Sequence, residues 1–331
     1  MSKVQRRVLL IGSAAATFGA PAIVSAQTLA QAGDWPKGPL RFVVPFPPGG
    51  STDPVARIIQ AKLTENAGWH IIVDNKPGGA GVVGASIVAK SAPDGQTWLV
   101  VFDSHILLGA FTPGALPYKD SELANVMLIG RTPQSIATPL DRPYKTFADT
   151  ADDARKRPGK LSMGVLAASQ ALVLMTFVKK ENDFDMNLIP YKGGGPLLQD
   201  ALAGVTDVSI SSLTAHSPHL RAGKLRPIAV TGEKRTAALP DTPTLIEQGI
   251  KSYPSYSWWG LYAPAGTPRP IIERMNAEVA KAVHSKDVTE KFVEQFNMEI
   301  LTTSPEAFAD FQKIEQERWS KIIKDNDIRG E

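Results

Sequence analysis

Apolar positions along the chain fall into two alternating rhythms. Short unbroken runs, "LRFVVPF" (40–46), "HIIVDN" (70–75) and "TWLVVF" (97–102), have the length and content of buried strands. Between the first two, Val55, Ile58, Ile59 and Leu63 share one face of a helix. Further strands are predicted at "VMLIG" (126–130), "LSMGVLA" (161–167), "NLIPY" (187–191), "DVSISSL" (207–213) and "LRPIAVT" (225–231). Helical periodicity covers 146–157, 196–203, 268–284 and 305–324. Strand–helix alternation of this kind predicts an α/β fold with mainly parallel sheets and helices on both faces.

Two stretches interrupt the rhythm. "RTPQSIATPLDRPYK" (131–145) holds three prolines and little periodicity, and 238–268 holds five prolines around "YSWWGLYAP". A chain that crosses between two lobes at both places builds one lobe from 27–130 plus 256–331 and the other from 131–255. A ligand cleft then lies between them. No repeat of 20–50 residues is visible, which argues against solenoids and propellers.

Composition narrows the function. The first residues, "MSKVQRRVLLIGSAAATFGAPAIVSAQ", combine Lys3, Arg6 and Arg7 with a short apolar run and small residues up to Ala26. That is the grammar of an export signal over 1–26, by the general secretory or twin-arginine route, and predicts a periplasmic protein. Its removal takes three basic residues and no acid from the 36 basic and 33 acidic ones, so the mature chain is neutral. A neutral chain gives no support for nucleic acid or an acidic membrane surface as partner. There is no cysteine, which excludes disulfides, thiolate metal sites and cysteine catalysis.

The chemistry gathers at two turns. "PFPPGGSTDP" (45–54) and "PYKGGGP" (190–196) each lead from a strand through glycines to a proline and a helix. Pro54 and Pro196 suit a first helical residue, and Asp53 suits the helix cap, while Gly204 would close the second helix. Helix starts present N–H groups without intrahelical partners, and glycines let an anion approach them. Such turns can hold a carboxylate without a cationic side chain; they are also readable as plain tight turns. The charge of Asp53 opposes a dianionic phosphate and favours a smaller carboxylate.

Other motifs are weaker. "GAGVVG" (79–84) matches a dinucleotide fingerprint, with Asp103 at ribose distance, but Asn75 to Gly78 separate it from the strand. His216 and His219 flank Ser217-Pro218, and no third metal ligand is evident. Trp258 and Trp259 suit packing better than a stacking platform.

"PFPPGGSTD", "NKPGGAG", "APDGQTWLV", "PYKGGGPLLQDALAG", "LRAGKLRPIAVTGEKR", "ALPDTPTLIEQG" and "WWGLYAPAGTP" follow one another along the chain. In that order they resemble the Bug/TctC-type extracytoplasmic substrate-binding proteins of tripartite tricarboxylate transporters, from about Trp35 to Trp319. The resemblance implies a two-lobed periplasmic binding protein, a type II-like Venus flytrap. It implies a monomer without catalysis, cofactor or metal that captures a small carboxylate and delivers it to membrane permease subunits. Phe46, Pro48, Gly49, Gly50, Ser51, Thr52 and Asp53 would form one pincer, and Tyr191, Lys192, Gly193 and Gly194 the other. The segment 78–84 then becomes a structural feature of the family.

Two stretches depart from the family pattern. "VLAASQALVL" (165–174) keeps Ser169 and Gln170 in an apolar run, and "SISSLTAHS" carries Ser212 and His216. With Ser104 these complete the candidate ligand-binding set. Such a wall suits an acid with an apolar or aromatic body; the same residues are equally suited to packing behind the wall. An exported cofactor-dependent α/β enzyme and a ligand-presenting partner of a membrane sensor are the competing functions.

Overall fold

A computed structural model describes residues 33–111, 114 and 116–328; the predicted signal segment lies outside the described residues. The chain opens with β1 (Leu40–Val44), α1 (Thr52–Ala67), β2 (Ile71–Asn75), α2 (Val82–Ala89), β3 (Thr97–Phe102) and the short α3 (Leu108–Phe111). The long β4 (Leu123–Pro139) leads to α4 (Phe147–Lys156), β5 (Ser162–Leu166), α5 (Gln170–Glu181) and β6 (Asn187–Tyr191). Then come α6 (Gly194–Leu202), β7 (Val208–Ser212), α7 (Leu213–Arg221) and β8 (Leu225–Val230). β9 (Tyr256–Pro264), α8 (Arg269–Val283), α9 (Lys286–Glu290), β10 (Glu299–Ile300) and α10 (Pro305–Asp325) complete it.

Local chemistry explains the boundaries. Val55, Ile59 and Leu63 are buried at helical spacing along α1, and Gly68 ends that helix in the left-handed conformation at φ 68°. Thr146 caps α4 by accepting from the Asp149 N–H, and Asp149 returns the bond. Pro305 starts α10 behind a Ser304 cap.

The strands form one sheet in the order β2-β1-β3-β9-β4-β7-β5-β6, with β10 and β8 added on β4. The pairs β1–β2, β1–β3, β5–β6 and β5–β7 are parallel. β9 runs antiparallel to β3 and β4, and β4 runs antiparallel to β7, β8 and β10. The sheet is therefore mixed, parallel outside and antiparallel at its centre, rather than mainly parallel. The reason is β4 and β9: they are the two connections between the halves, and they run in opposite directions.

The proline-rich 131–145, expected as a crossing between lobes, makes that crossing as a strand, since most of it lies inside β4. Pairing with β9 ends at Pro133↔Tyr256, and pairing with β7 begins at Gln134↔Ser212. Both faces of this strand are largely covered, so the polar alternation of a half-exposed strand never develops. The run "YSWWGLYAP" is β9 for the same reason. Its two tryptophans point to opposite sides, as strand geometry requires. Trp259 joins the core under α1 and α8, and Trp258 packs against Phe308 and Phe311 of α10. Likewise "VLAASQALVL" is not one wall: it ends β5, turns, and enters α5, whose Val173, Leu174 and Val178 are core.

Candidate functional site

Both predicted turns lie at carboxyl ends of strands, and they meet. A Cβ placed on Gly50 would lie 3.5 Å from the Gly194 Cα, and one on Gly194 would lie 3.0 Å from the Gly50 Cα. A Cβ on Gly193 would fall 2.6 Å from Pro47 Cγ, and one on Gly195 would fall 2.8 Å from the Pro48 carbonyl oxygen. At Gly193, Gly194 and Gly195 a side chain would crowd the facing turn, so glycine permits this approach there. The starts of α1 and α6 therefore face one another, each with first-turn N–H groups that its own helix does not use.

Their helices begin earlier than the proline rule predicted. α1 starts at Thr52 and α6 at Gly194, which places Pro54 and Pro196 third rather than first. The missing N–H still costs nothing, because the third position is also without an intrahelical acceptor. Gly204 does end the second helix region in a left-handed conformation, at φ 71°. The cap position of α1 is Ser51, not Asp53, and its hydroxyl makes no capping bond. Asp53 lies inside the first turn, where Arg57 Nε donates to its Oδ2 at 2.8 Å, while Oδ1 is buried without a partner. The cation missing from the turn is thus Arg57, one turn along the helix. It is also tied to Asn75, whose amide donates to the Phe46 carbonyl at 3.0 Å and braces the turn.

Between the turns is a small cavity of about 20 Å³, lined by Phe46, Pro47, Gly50 to Asp53, Phe102, Leu166, Gly193, Gly194, Ser211 and Ala215. That volume admits about one water-sized group. The floor is polar at the helix starts and at Ser211; Phe46, Phe102, Leu166 and Ala215 supply apolar walls. Sequence reading missed Phe102, Leu166 and Ser211, yet they end or nearly end β3, β5 and β7. The rule that ligands sit at carboxyl ends of strands would have found them.

Several predicted residues do other work. Pro48, Gly49 and Lys192 are exposed at the rim. The Tyr191 hydroxyl donates to Asp200 Oδ2 at 2.6 Å; burial and that carboxylate push its pKa up to about 12. Ser169 caps α5, accepting from the Leu172 N–H at 3.2 Å, and Ser212 caps α7, accepting from the Ala215 N–H at 3.3 Å. With its amide oriented to satisfy both ends, Gln170 donates to the Tyr256 carbonyl at 3.0 Å and accepts from the Trp319 indole at 3.1 Å. His216 is not in the cleft wall at all. It is fully buried, with Nδ1 2.8 Å from Ser135 Oγ and Nε2 3.2 Å from Ser209 Oγ. Burial lowers its pKa to about 3, which keeps the ring neutral. Ser104 is buried with its hydroxyl unpartnered.

The glycines of 78–84 buttress the first turn. A Cβ on Gly84 would lie 2.7 Å from Pro45 Cβ, and one on Gly81 would lie 3.5 Å from the Phe46 ring. Those close approaches account for two of the glycines in the dinucleotide-like pattern.

Two lobes on crossing strands, with a cleft at their strand ends, define a periplasmic binding protein of the Venus-flytrap type. The chain belongs to the TctC family: residues 55–328 match the model described as "Tripartite tricarboxylate transporter family receptor". It is 33% identical to Protein BugT of Bordetella pertussis over 323 residues, 97% of each chain. Among solved structures it resembles Rhodopseudomonas palustris Rpa4515 with adipate, at 34% identity and TM-score 0.85, over 89% of this chain and 99% of that one. It also resembles MatC from Rhodopseudomonas palustris with bound malate, at 27% identity and TM-score 0.81, over 87% and 100% of the chains. These are solute-binding proteins and not enzymes, and so is this chain.

Proposed function

We propose that this protein captures one carboxylate of a small acid between the turns 46–53 and 191–195, in the periplasm, and delivers it to the permease subunits of a tripartite tricarboxylate transporter. The observation that carries the reading is the meeting of two helix N-termini across glycines, a donor-rich and cation-poor clamp. The adipate and malate in the two named neighbours support a carboxylate. Export by residues 1–26 accords with the family, whose members are periplasmic.

The expected lobe boundary at 130/131 moves by three residues, to a hinge where β4 changes partners between Pro133 and Gln134. The meeting of the turns is the closed arrangement, in which ligand contacts in a water-poor site strengthen. Phe46, Phe102, Leu166 and Ala215 support a ligand with an apolar or aromatic body. The experiment is a thermal-shift screen of the mature chain against mono- and dicarboxylates, followed by calorimetry on Gly50→Val and Gly194→Val. Both variants should remain folded and lose carboxylate binding. Wild-type affinity in both would refute the clamp.

A further inference from the structure

A second group of polar side chains is buried among segments that adjoin the cavity residues in sequence. Asp103 and Ser104 follow β3, Gln134 lies on β4, and Ser257 and Trp259 lie on β9; none is more than 2% exposed. Both Asp103 oxygens, the Ser104 and Ser257 hydroxyls, Gln134 Oε1 and Trp259 Nε1 have no hydrogen-bond partner. Asp103 faces the Ser257 hydroxyl, the Gln134 side chain and the Gln170 backbone N–H, but none of these contacts closes to bonding geometry. The charged neighbour acting on it is another acid, Glu315. A core does not ordinarily leave so many polar atoms unpaired in one place.

The position is informative. Asp103 directly follows the cavity residue Phe102, and Gln170 begins the helix reached from the cavity residue Leu166. Cluster and cavity are thus neighbours along the chain in both halves of the fold, with Phe102 and Leu166 between them. A ligand too large for about 20 Å³, clamped at its carboxylate, has this direction in which to extend.

We propose that Asp103, Gln134 and Ser257 form a distal subsite that receives a hydrogen-bond-donating group, a hydroxyl or an ammonium, on the end of the ligand opposite its clamped carboxylate. The inference rests on the clamp proposed above. Gln134 Oε1 is an acceptor with no bonded donor, Asp103 offers acceptors as the carboxylate, and Ser257 can bond either way. A second ligand carboxylate would add acceptors and negative charge beside two acids. Burial disfavours the charged form of Asp103 and would penalise a second buried anion in the same way, whereas an ammonium there would favour the carboxylate. The site therefore selects against diacids of the kind named in the adipate and malate structures.

The test is calorimetry on the mature chain with two matched series. One is hexanoate, its terminal hydroxy and amino derivatives, and adipate. The other is benzoate, its para-hydroxy and para-aminomethyl derivatives, and terephthalate. In at least one series a donor-bearing member should bind about tenfold or more tighter than both parent and diacid. Asp103→Ala, or Ser257→Ala where the first does not fold, should reduce that preference and leave the parent affinity within about threefold. Parent or diacid binding as tightly as the donor-bearing acids in both series overturns the subsite and leaves the clamp intact. So does a variant that weakens all members alike. Binding of none of the eight acids overturns subsite and clamp together.

Discussion

Gly195→Ala isolates the cost of closing the cleft. The residue lies in the first turn of α6, and its φ is not in the left-handed region, so its own backbone accepts alanine. In the closed arrangement the new Cβ would sit 2.8 Å from the Pro48 carbonyl oxygen and 3.6 Å from the Gly49 Cα. Both are backbone atoms, which cannot rotate away as a side chain would. Overpacking of this kind costs about 1–3 kcal/mol, and the penalty falls only on the state in which the turns meet. Taking about 2 kcal/mol, affinity for the ligand should fall about 30-fold, since each 1.4 kcal/mol is tenfold. The ligand-free melting temperature should be unchanged or slightly higher, because alanine is the better helix former. Calorimetric titration with the best acid from the screen, beside ligand-free melting curves, reads both quantities. Affinity within threefold of wild type, or an equal loss of ligand-free stability, would refute the idea that the glycines exist for closure.

The remaining predictions concern stability. His216 is neutral when folded, with a pKa of about 3, whereas the unfolded chain takes up that proton near pH 6.5. Between those values the unfolded state binds more protons, so stability should fall as pH drops from about 6.5 towards 3. His216→Leu should lose about 1–3 kcal/mol at neutral pH, by leaving the Ser135 hydroxyl unpartnered and Ser209 with only its 3.5 Å bond to the Ala137 carbonyl, and should show a shallower acid slope in urea unfolding. His105, lowered to about 4 by burial, retains part of the slope; parallel curves for variant and wild type would sink the assignment. Phe308→Ala should cost about 3–5 kcal/mol by chemical denaturation, since the buried ring packs on Trp258 and Tyr262 and fills the space over Gly260. A loss below about 1 kcal/mol would mean that α10 is not fastened there.

The candidate site was legible in proportion to how local its signal is. "PFPPGGSTD" and "YKGGGP" announce themselves because glycine and proline constrain the backbone wherever they stand. Asp53 was misplaced as a cap because the helix began two residues before proline rather than at it. Ser212 and Ser211 are adjacent in sequence, and which of them reaches the cavity depends on where β7 ends and α7 begins. His216 looked like a wall residue because a polar side chain in an apolar strand–helix segment suggests exposure to ligand. Only the opposing serines of β4 and β7 reveal that it is satisfied inside.

By itself, the sequence determined the strand and helix alternation, the two anion-favouring turns and the family. All three depend on short-range constraints: periodicity, backbone freedom and motif order. Tertiary structure decided that proline-bearing segments become the central strands β4 and β9, because a strand covered on both sides loses its polar alternation. It also decided that Gly50 meets Gly194 and that Asp103, Gln134 and Ser257 converge without bonding partners. Those encounters join residues far apart in the chain, and no local pattern encodes the distance between them.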